Sequence, residues 1–351
     1  MKYSIIVPVY NRPDEVRELL DSLTKQTLRD FEVIIVEDGS NTTCKDVCDK
    51  YADVLDLHYY YKENSGPGQS RNYGAERATG EWLIVLDSDV VLPDGYLEAA
   101  DAQLSTLNSQ QAAWGGPDSA HPSFTPVQKA ISYSMTSFFT TGGIRGGKGK
   151  KLDKFFPRSY NMGIRREVYR ELGGFSKMRF GEDIDFSYRI VEAGYKTALI
   201  PEAWVWHKRR TDLRKFFRQV YNSGIARINL EKRHPGTLKL VHLLPTVFTV
   251  GVAVLVAVFV CGLMMSSFGS TATKACGTTL CQLALLPLAL YSLLILIDSS
   301  LKNRSLHVGL LSIPAAFVQL TGYGTGFIES WWKRCILKRD EFTAFEKNFY
   351  K

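Results

Sequence analysis

Residues 64–90 read NSGPGQSRNYGAERATGEWLIVLDSDV. The stretch opens with glycines and a proline, continues as a helical pattern over 68–78, and enters a run of large apolar residues at 82–86. Asp87 and Asp89 follow that run directly. A fully apolar strand that follows a helix is typical of a parallel sheet covered by helices, because such strands are buried on both faces. The stretch therefore predicts an α/β fold with carboxylates at the end of a buried strand.

The same alternation extends through the first 120 residues. Apolar runs at 3–9, 32–36 and 57–61 predict further strands, and the patterns at 13–25 and 94–107 predict helices. We therefore expect a mostly parallel sheet with helices on both faces. In such sheets, ligands bind beyond the carboxyl ends of the strands. The acidic residues after the strands lie at this edge.

Composition excludes several classes of protein. The chain has 351 residues, of which 45% are hydrophobic and 23% charged, so it is not a disordered chain. Its six cysteines are scattered, without metal-ligand spacing, which excludes a disulfide-dense secreted scaffold. No Gly-x-Gly-x-x-Gly follows the first strand, which disfavours a dinucleotide oxidoreductase.

The membrane signal lies in the last third of the chain. Apolar runs at about 240–265 and 280–297 are long enough to cross a hydrocarbon core of about 30 Å. A third run at 308–328 is weaker and contains Pro314 and three glycines. Lysine and arginine placement puts the N-terminal domain on the cytoplasmic side. Three full spans would put the basic tail outside, against that rule, so a spanning and a shallow third segment both stay open.

These observations predict three parts and a location. We expect a domain over 1–235, a membrane region over 236–332 and a basic tail over 333–351. The stretch 208–233 holds nine lysines and arginines against two acidic residues. Beside a membrane span, anionic lipid headgroups are a better partner for this charge than nucleic acid. The sequence thus predicts a multi-pass protein of the cell membrane with its N-terminal domain on the cytoplasmic face.

A metal site is predicted at the end of the strand at 82–86. Asp87 and Asp89 can share a hard divalent cation, Mg²⁺ or Mn²⁺, and a turn with solvated aspartates is the alternative. His207 ends another apolar piece and is a candidate third ligand or diphosphate contact. A purely structural histidine is the alternative there.

Polar residues near two other predicted strands are candidates for nucleotide binding. Glu37 and Asp38 follow the strand at 32–36, where a carboxylate can accept from a nucleobase N–H or a ribose hydroxyl. A simple turn is the alternative. Arg71 and Asn72 lie near the start of a helix and can reach a phosphate or a base edge, or serve only as capping and surface charge.

Two further segments have a functional and a structural interpretation. The acidic cluster around Glu182 and Asp183 can supply a general base, or simply favour the start of a helix through its dipole. The loop at 142–154, GGIRGGKGKKLDK, can cover a diphosphate or be a solvated loop.

Together these motifs resemble those of glycosyltransferase family 2, whose members have the GT-A fold. The resemblance rests on the words and their order along residues 1 to about 230: SIIVPVYNR at 4–12, VIIVEDGS at 33–40, the stretch 64–90, ELGGF at 171–175 and GEDIDFSYRI at 181–190. It implies a nucleotide-sugar-binding domain, here followed by membrane helices, as in other members of the family.

The resemblance also implies roles for individual residues. The residues bordering the nucleotide sugar would be Pro8, Tyr10, Glu37, Asp38, Arg71 and Asp87, with Asp38 at the base. Asp87 and Asp89 would bind the metal, with His207 as a candidate ligand. Asp183 would be the general base, with Glu182 beside it. The family often has aspartate where this chain has Glu37. Processive members carry Gln-x-x-Arg-Trp, whereas the nearest stretch here, 219–223, reads QVYNS.

The resulting hypothesis is a metal-dependent, inverting hexosyl- or related transferase. It would move one sugar from a nucleoside-diphosphate sugar to an acceptor hydroxyl on a membrane-associated or lipid-linked glycan, without nucleic acid as a partner. A polyprenyl-phosphate sugar synthase is one alternative. A catalytically silent nucleotide-sugar-binding membrane protein is the other.

Overall fold

The computed structural model describes residues 1–106, 111–119, 121, 123–142, 155–208, 212–268 and 270–341. The strands in these ranges are β1 (Tyr3–Val9), β2 (Phe31–Asp38), β3 (Leu57–Lys62), β4 (Trp82–Leu86), β5 (Val90–Val91), β6 (Gln111–Gly115), β7 (Asp118–Ser119), β8 (Asn161–Arg165), β9 (Lys196–Leu199) and β10 (Val205–His207). The helices are α1 (Pro13–Leu23), α2 (Lys45–Asp49), α3 (Pro67–Arg77), α4 (Tyr96–Thr106), α5 (Pro126–Thr136), α6 (Phe138–Thr141), α7 (Arg166–Glu171), α8 (Glu182–Glu192), α9 (Leu213–Arg233), α10 (Leu244–Ser267), α11 (Thr271–Asn303) and α12 (Leu306–Trp331). A 3-10 turn at Leu240–His242 precedes α10, and a π-helical turn at Trp332–Ile336 continues α12.

The described residues form two compact units. The first contains those in 1–122 and 148–208, together with Glu341, and the second contains those in 123–147 and 209–340. In the second unit, Ile131 of α5, Phe216 of α9 and Val318 of α12 share one apolar cluster. Helices from both sides of residue 235 therefore share a core. The functional division at residues 235 and 332 stays a prediction.

The first unit is built on a seven-stranded sheet in the order β3-β2-β1-β4-β8-β6-β9. The first four of these strands are parallel, as are β6 and β9, whereas β8 runs antiparallel to both of its neighbours. Ile6 of β1 lies in register with Ile34 on one side and Val85 on the other. The predicted mostly parallel α/β sheet is confirmed.

Side chains of the central strands alternate between two helix-covered faces, as the two-residue period of a strand requires. Ile5 packs in the same cluster as Leu19 and Leu20 of α1. Ile6 faces the other way, in the cluster that contains Ala75 of α3 and Phe186 of α8. All of these side chains are buried, which explains the uninterrupted apolar runs in the sequence.

A small three-stranded sheet, β5-β10-β7, lies beside the end of β4. Here β10 pairs antiparallel with β5, and His207 lies in register with Val90. Because Val90 follows Asp89 directly, this pairing brings a histidine from residue 207 to the carboxylates at residues 87 and 89. The position of the candidate metal site thus depends on a strand pair about 120 residues apart in the chain.

Three helices of the second unit are long and apolar enough to span a membrane. They comprise Leu240–Ser267, Thr271–Asn303 and Leu306–Ile336, with mean hydropathies of 2.7, 2.3 and 1.3 over their most apolar windows. Each apolar run predicted from the sequence lies within one of them. The predicted membrane region is thus helical, and its third helix is the least apolar, as expected.

Candidate active site

The carboxyl ends of β1, β2 and β4 meet at one edge of the sheet because these strands are parallel neighbours. Asn11 joins two of these ends. Its Oδ1 accepts hydrogen bonds from the backbone N–H groups of Asn41 and Thr42, both at 2.9 Å, and its own N–H donates to Ser40 Oγ at 2.8 Å. Asn11 has a left-handed backbone with φ of 54°, which asparagine tolerates better than most residues. No pattern in the sequence indicates this role for Asn11.

The candidate metal ligands come together at this edge. Ligand atoms of Asp87, Asp89 and His207 all lie within 4.8 Å of one another. Nε2 of His207 is 3.2 Å from Asp89 Oδ1, and the imidazole stacks on the Tyr160 ring with centroids 5.1 Å apart. Two carboxylates and one imidazole form a donor set that fits Mn²⁺ and supplies the oxygens that Mg²⁺ prefers. The residues at this edge therefore fit the predicted divalent ion.

Two arginines balance the charge of the paired aspartates. Arg12 Nη1 is 2.6 Å from Asp89 Oδ2, and Arg71 Nη2 is 2.7 Å from Asp87 Oδ1. Arg12 was not singled out from the sequence. The available signal was its place three residues after β1 ends, at the edge where ligands bind.

Arg71 connects the candidate metal ligands to the second acidic cluster. Its side chain is buried, and Nη1 donates to Glu182 Oε1 at 3.2 Å while Nη2 contacts Asp87. The guanidinium also lies over the Phe175 ring, 5.1 Å from its centroid. The sequence suggests that Arg71 contacts a phosphate or a base edge. In the structure, its partners are the carboxylates of Asp87 and Glu182.

Glu182 and Asp183 form the first turn of α8, which begins after Gly181 with a left-handed φ of 86°. Arg158 Nε donates to Asp183 Oδ2 at 2.6 Å, and the Ile184 N–H donates to Oδ1 at 2.9 Å. Burial by itself would raise the pKa of Asp183, but the charge and hydrogen bond of Arg158 outweigh it and lower this pKa. No local pattern in the sequence around Arg158 indicates this pairing.

Glu182 differs from its neighbour in protonation. Burial raises the pKa of Glu182 to about 7, and the adjacent charge of Asp183 adds to this effect, while Arg71 opposes it. Adjacent carboxyl groups therefore have pKa values shifted in opposite directions. Such separation is common where one group of a pair must stay ionised.

The two acidic residues at the end of β2 have structural partners. Asp38 is buried and accepts from Lys62 Nζ at 2.6 Å and from the N–H groups of Ser65 and Gly66 at 2.9 and 2.8 Å. Asn64 Nδ2 adds a longer contact of 3.3 Å. A carboxylate has about four acceptor positions, so these donors fill them. A base contact by Asp38 would require Lys62 or Asn64 to move, and the predicted role stays a prediction.

Glu37 holds the turn that follows β2. Its carboxylate accepts from Ser40 Oγ and, at 2.8 Å, from the Cys44 N–H. Pro8 and Tyr10 are half-buried at the neighbouring end of β1, where Pro8 is in register with Val36. Pro8, Tyr10 and the two acidic residues of β2 thus lie at one edge of the sheet. Their contact with a nucleoside stays a prediction.

Asn72 makes structural contacts, and its suggested contact with a phosphate or a base edge stays a prediction. Its Oδ1 accepts from Tyr169 OH at 2.7 Å and the Phe175 N–H at 2.8 Å, and its Nδ2 donates to the Phe175 carbonyl at 2.8 Å. A Cβ on Gly174 would lie 2.4 Å from Asn72 Oδ1, which explains the glycine at this position. The loop at 142–154 lies outside the described residues apart from Gly142.

Comparisons with known proteins support the sequence resemblance. Residues 4–173 match the family model described as glycosyl transferase family 2. The pre-mycofactocin glycosyltransferase of Mycobacterium tuberculosis (strain CDC 1551 / Oshkosh) is 26% identical over 250 residues, which cover 66% of this chain and 48% of that protein. The poly(ribitol-phosphate) beta-N-acetylglucosaminyltransferase TarS of Staphylococcus aureus (strain Mu50 / ATCC 700699) is 40% identical over 113 residues, 31% of this chain and 20% of that protein. The chain thus spans about half the length, or less, of these curated relatives.

Solved structures confirm the fold. The mannosyltransferase PcManGT from Pyrobaculum calidifontis, determined in complex with GDP-Man and Mn²⁺, aligns with a TM-score of 0.61 and 17% sequence identity. The alignment covers 95% of this chain and 88% of that chain. The GT-A type of sheet, followed by a helical C-terminal region, is therefore shown for this protein.

Proposed function

We propose that this chain, whose residues 4–173 belong to glycosyltransferase family 2, transfers one sugar from a nucleoside-diphosphate sugar to an acceptor hydroxyl with inversion at the anomeric carbon. The observation that carries the proposal is the pair of acidic clusters joined by Arg71. One cluster is Asp87, Asp89 and His207, and the other is Glu182 and Asp183. An inverting displacement needs a metal site at the departing diphosphate and a general base at the attacking hydroxyl, on opposite sides of the sugar.

The first cluster fits the donor side of the reaction. Asp87, Asp89 and His207 would hold Mg²⁺ or Mn²⁺, which offsets the charge of a departing diphosphate. Arg12, paired with Asp89, adds a fixed positive charge next to this position. The complex of PcManGT with GDP-Man and Mn²⁺ supports a nucleotide sugar and a divalent ion as the ligands of this fold.

The second cluster fits the acceptor side. A general base must be ionised to take the proton of the attacking hydroxyl. Arg158 keeps Asp183 ionised by lowering its pKa, whereas burial raises the pKa of Glu182 beside it to about 7. We assign Asp183 as the base and Glu182 as its neighbour that contacts Arg71.

The membrane helices support a membrane-associated or lipid-linked glycan as the acceptor. Among the described residues, three helices are long and apolar enough to span a bilayer, and a basic helix, α9, precedes them. We place residues 1–235, as the catalytic domain, on the cytoplasmic face, because the lysines and arginines of the loops favour that side. TarS, named for a poly(ribitol-phosphate) acceptor, supports a polymeric glycan-type acceptor.

Nucleotide release and sugar transfer test the proposal directly. The full chain in detergent is given UDP-, GDP- and TDP-sugars with Mn²⁺ or Mg²⁺ and a membrane lipid extract. We expect metal-dependent release of one nucleoside diphosphate and a labelled glycan product. Asp87→Asn with Asp89→Asn should abolish both, and Asp183→Asn should lower transfer by about 10²- to 10⁴-fold. The double variant Asp46→Asn/Asp49→Asn removes two exposed carboxylates of α2 and should keep full activity.

The outcomes also separate the alternatives. Transfer to a lipid phosphate that persists in Asp183→Asn would identify a polyprenyl-phosphate sugar synthase, because a phosphate nucleophile is already ionised. Donor binding without turnover on any donor, with the lipid extract present, would identify a silent binding protein. Either result would refute the proposed transfer to a hydroxyl.

A further inference from the structure

We infer that the third long helix, α12, lies at the membrane surface in a pair with α9, and that the hairpin of α10 and α11 crosses the bilayer. The inference goes beyond the proposed function, because it concerns the contact of the second unit with lipid. It stands whether or not sugar is transferred. Its evidence is the way in which α12 contacts α5, α9 and α10.

The second half of α12 runs parallel to α9 at a constant offset along the chain. Ser330 Oγ donates to the Ile225 carbonyl at 3.2 Å, and Arg334 Nε donates to Asn229 Oδ1 at 3.1 Å, both across 105 positions. The same offset recurs where glycines of α12 meet α9, in the pairs Gly322 with Phe217 and Gly326 with Tyr221. Four contacts at one offset, spaced four residues apart, mean that two parallel helices lie side by side over about three turns.

Helix α9 is too highly charged to enter the hydrocarbon core. It holds seven charged residues in 21, and Arg214, Lys215 and Arg218 in its first two turns are exposed. A charged residue at the centre of a spanning helix is strongly disfavoured, because the hydrocarbon core cannot solvate the charge. The part of α12 that lies alongside α9 must therefore stay with it outside the hydrocarbon.

The first half of α12 is covered by protein. Ala315 and Val308 pack with Ala130 of α5, and Ala316 packs with Tyr133 of α5. In the most apolar stretch of α12, 39% of the residues are buried, against 6% for α10 and 11% for α11. The two helices with little protein cover are those that need lipid around them.

The contacts with α10 place the crossing point of α12 near the start of that helix. Phe317 packs on Phe248 with ring centroids 5.5 Å apart, and Thr249 Oγ1 donates to the Leu320 carbonyl at 3.3 Å. Gly324 lies against the Pro245 carbonyl. As α12 proceeds from residue 317 to 324, its partner changes from residue 248 to 245. It therefore leads back towards the beginning of α10.

The hairpin itself has the arrangement of two antiparallel spans. Tyr291 packs on Phe248 near the start of α10, and Cys281 Sγ contacts the Phe259 carbonyl at 3.6 Å further along. Gly262 and Gly277 lie in close contact near the turn. The apolar side chains of α10, among them Val250, Val254 and Met264, are exposed along its length.

The surface of the α9–α12 pair suits the headgroup region of an anionic bilayer. Trp331 and Trp332 are exposed at the end of α12, where tryptophan rings and the following Lys333 favour a membrane interface. Exposed basic residues of α9 are attracted to anionic headgroups. A shallow α12 also leaves the basic tail on the same side as the N-terminal unit, as the lysine and arginine rule requires.

Native cysteines provide the test. Cys276 near the hairpin turn and Cys335 after α12 are both exposed. Full-length variants keep one of them, with the other cysteines replaced by alanine, and a third carries only Ala52→Cys on the surface of the first unit. Each is reconstituted in sealed vesicles and labelled with a membrane-impermeant maleimide before and after permeabilisation.

We expect Cys335 and Ala52→Cys to be labelled from one face, and Cys276 from the other. Labelling of Cys335 from the same face as Cys276 would mean that α12 crosses, and it would overturn the inference. A second tail reporter, Asp340→Cys, gives the same reading at an exposed position further from the headgroups. Co-elution of every variant with the native chain in detergent confirms that each is folded.

Discussion

At the scale of single residues, each carboxylate of the two acidic clusters is paired with an arginine. Arg12 pairs with Asp89, Arg158 with Asp183, and Arg71 with both Asp87 and Glu182. These acids are buried or half-buried, so an unpaired charge there would be costly. The arginines therefore hold these carboxylates in place, and Arg158 in addition keeps Asp183 ionised by lowering its pKa. A cationic ligand of the aspartates must compete with Arg12 and Arg71.

The pH dependence of transfer should report on Arg158. This residue lowers the pKa of Asp183, so the base stays ionised as pH falls. In Arg158→Gln the largest of the effects that offset burial is lost, the pKa of Asp183 rises, and activity is lost at a higher pH on the acidic limb. The acidic limb is read from kcat/KM for the acceptor, measured at a saturating donor concentration between pH 4 and 8.

Arg165→Gln is the matched control for this measurement. Arg165 also pairs with a carboxylate, Glu81, but at the far end of β8. Its variant should keep the native acidic limb. A limb that is identical in Arg158→Gln and the native protein would show that Asp183 is not the group that limits the rate at low pH.

At the scale of elements, close backbone packing joins α9 to α12. A Cβ on Gly224 would lie 2.1 Å from the Tyr323 carbonyl oxygen and 2.8 Å from the Phe327 nitrogen. Both atoms belong to backbone, so neither can rotate away. The glycine therefore sets the distance between the two helices.

Gly224→Ala should lower the thermal stability of the detergent-solubilised protein. Alanine favours a helix by about 1 kcal/mol over glycine, but overpacking here should cost on the order of 1–3 kcal/mol and separate the helices. Thermal unfolding followed by circular dichroism measures the change. Gly251→Ala is the control, because a Cβ at this position of α10 meets nothing within 4 Å. It should leave the midpoint equal or higher, and a similar decrease in both variants would refute the packing argument.

At the scale of the whole molecule, the two units differ in the exposure of their apolar side chains. The sheet unit buries its apolar side chains in two clusters, one on each face. In contrast, α10 and α11 expose many large apolar residues, among them Leu263, Leu286, Leu290 and Ile297. Such a surface marks a site of contact with a membrane or another protein. The chain therefore combines a unit that buries its apolar side chains with two helices that expose them and are long enough to span a membrane.

Extraction of cell membranes tests this division. After treatment with alkaline carbonate, which removes proteins held by charge alone, we expect the protein to stay in the membrane pellet. The exposed apolar faces of the hairpin are the reason. Detergent should release it. Quantitative release by carbonate would mean that the basic residues of α9, and not the hairpin, hold the protein on the membrane.

Local patterns in the chain were sufficient for the sheet, the membrane helices and the acidic clusters. Strand β1 begins and ends where its apolar run does, and α8 begins at the acidic pair, because burial and helix dipoles act on neighbouring residues. The ligand atoms of Asp87, Asp89 and His207 lie close together, at the end of a strand, where ligands are expected to bind.

Partners that are far apart in the chain appear only when the fold brings them together. Arg158 meets Asp183, Lys62 meets Asp38 and α9 aligns with α12 through contacts between separate elements. No local periodicity encodes such pairs, because each depends on how strands and helices pack. The depth of the third apolar helix is the clearest case. Its composition permits a span, and its contacts with α5, α9 and α10 argue against one.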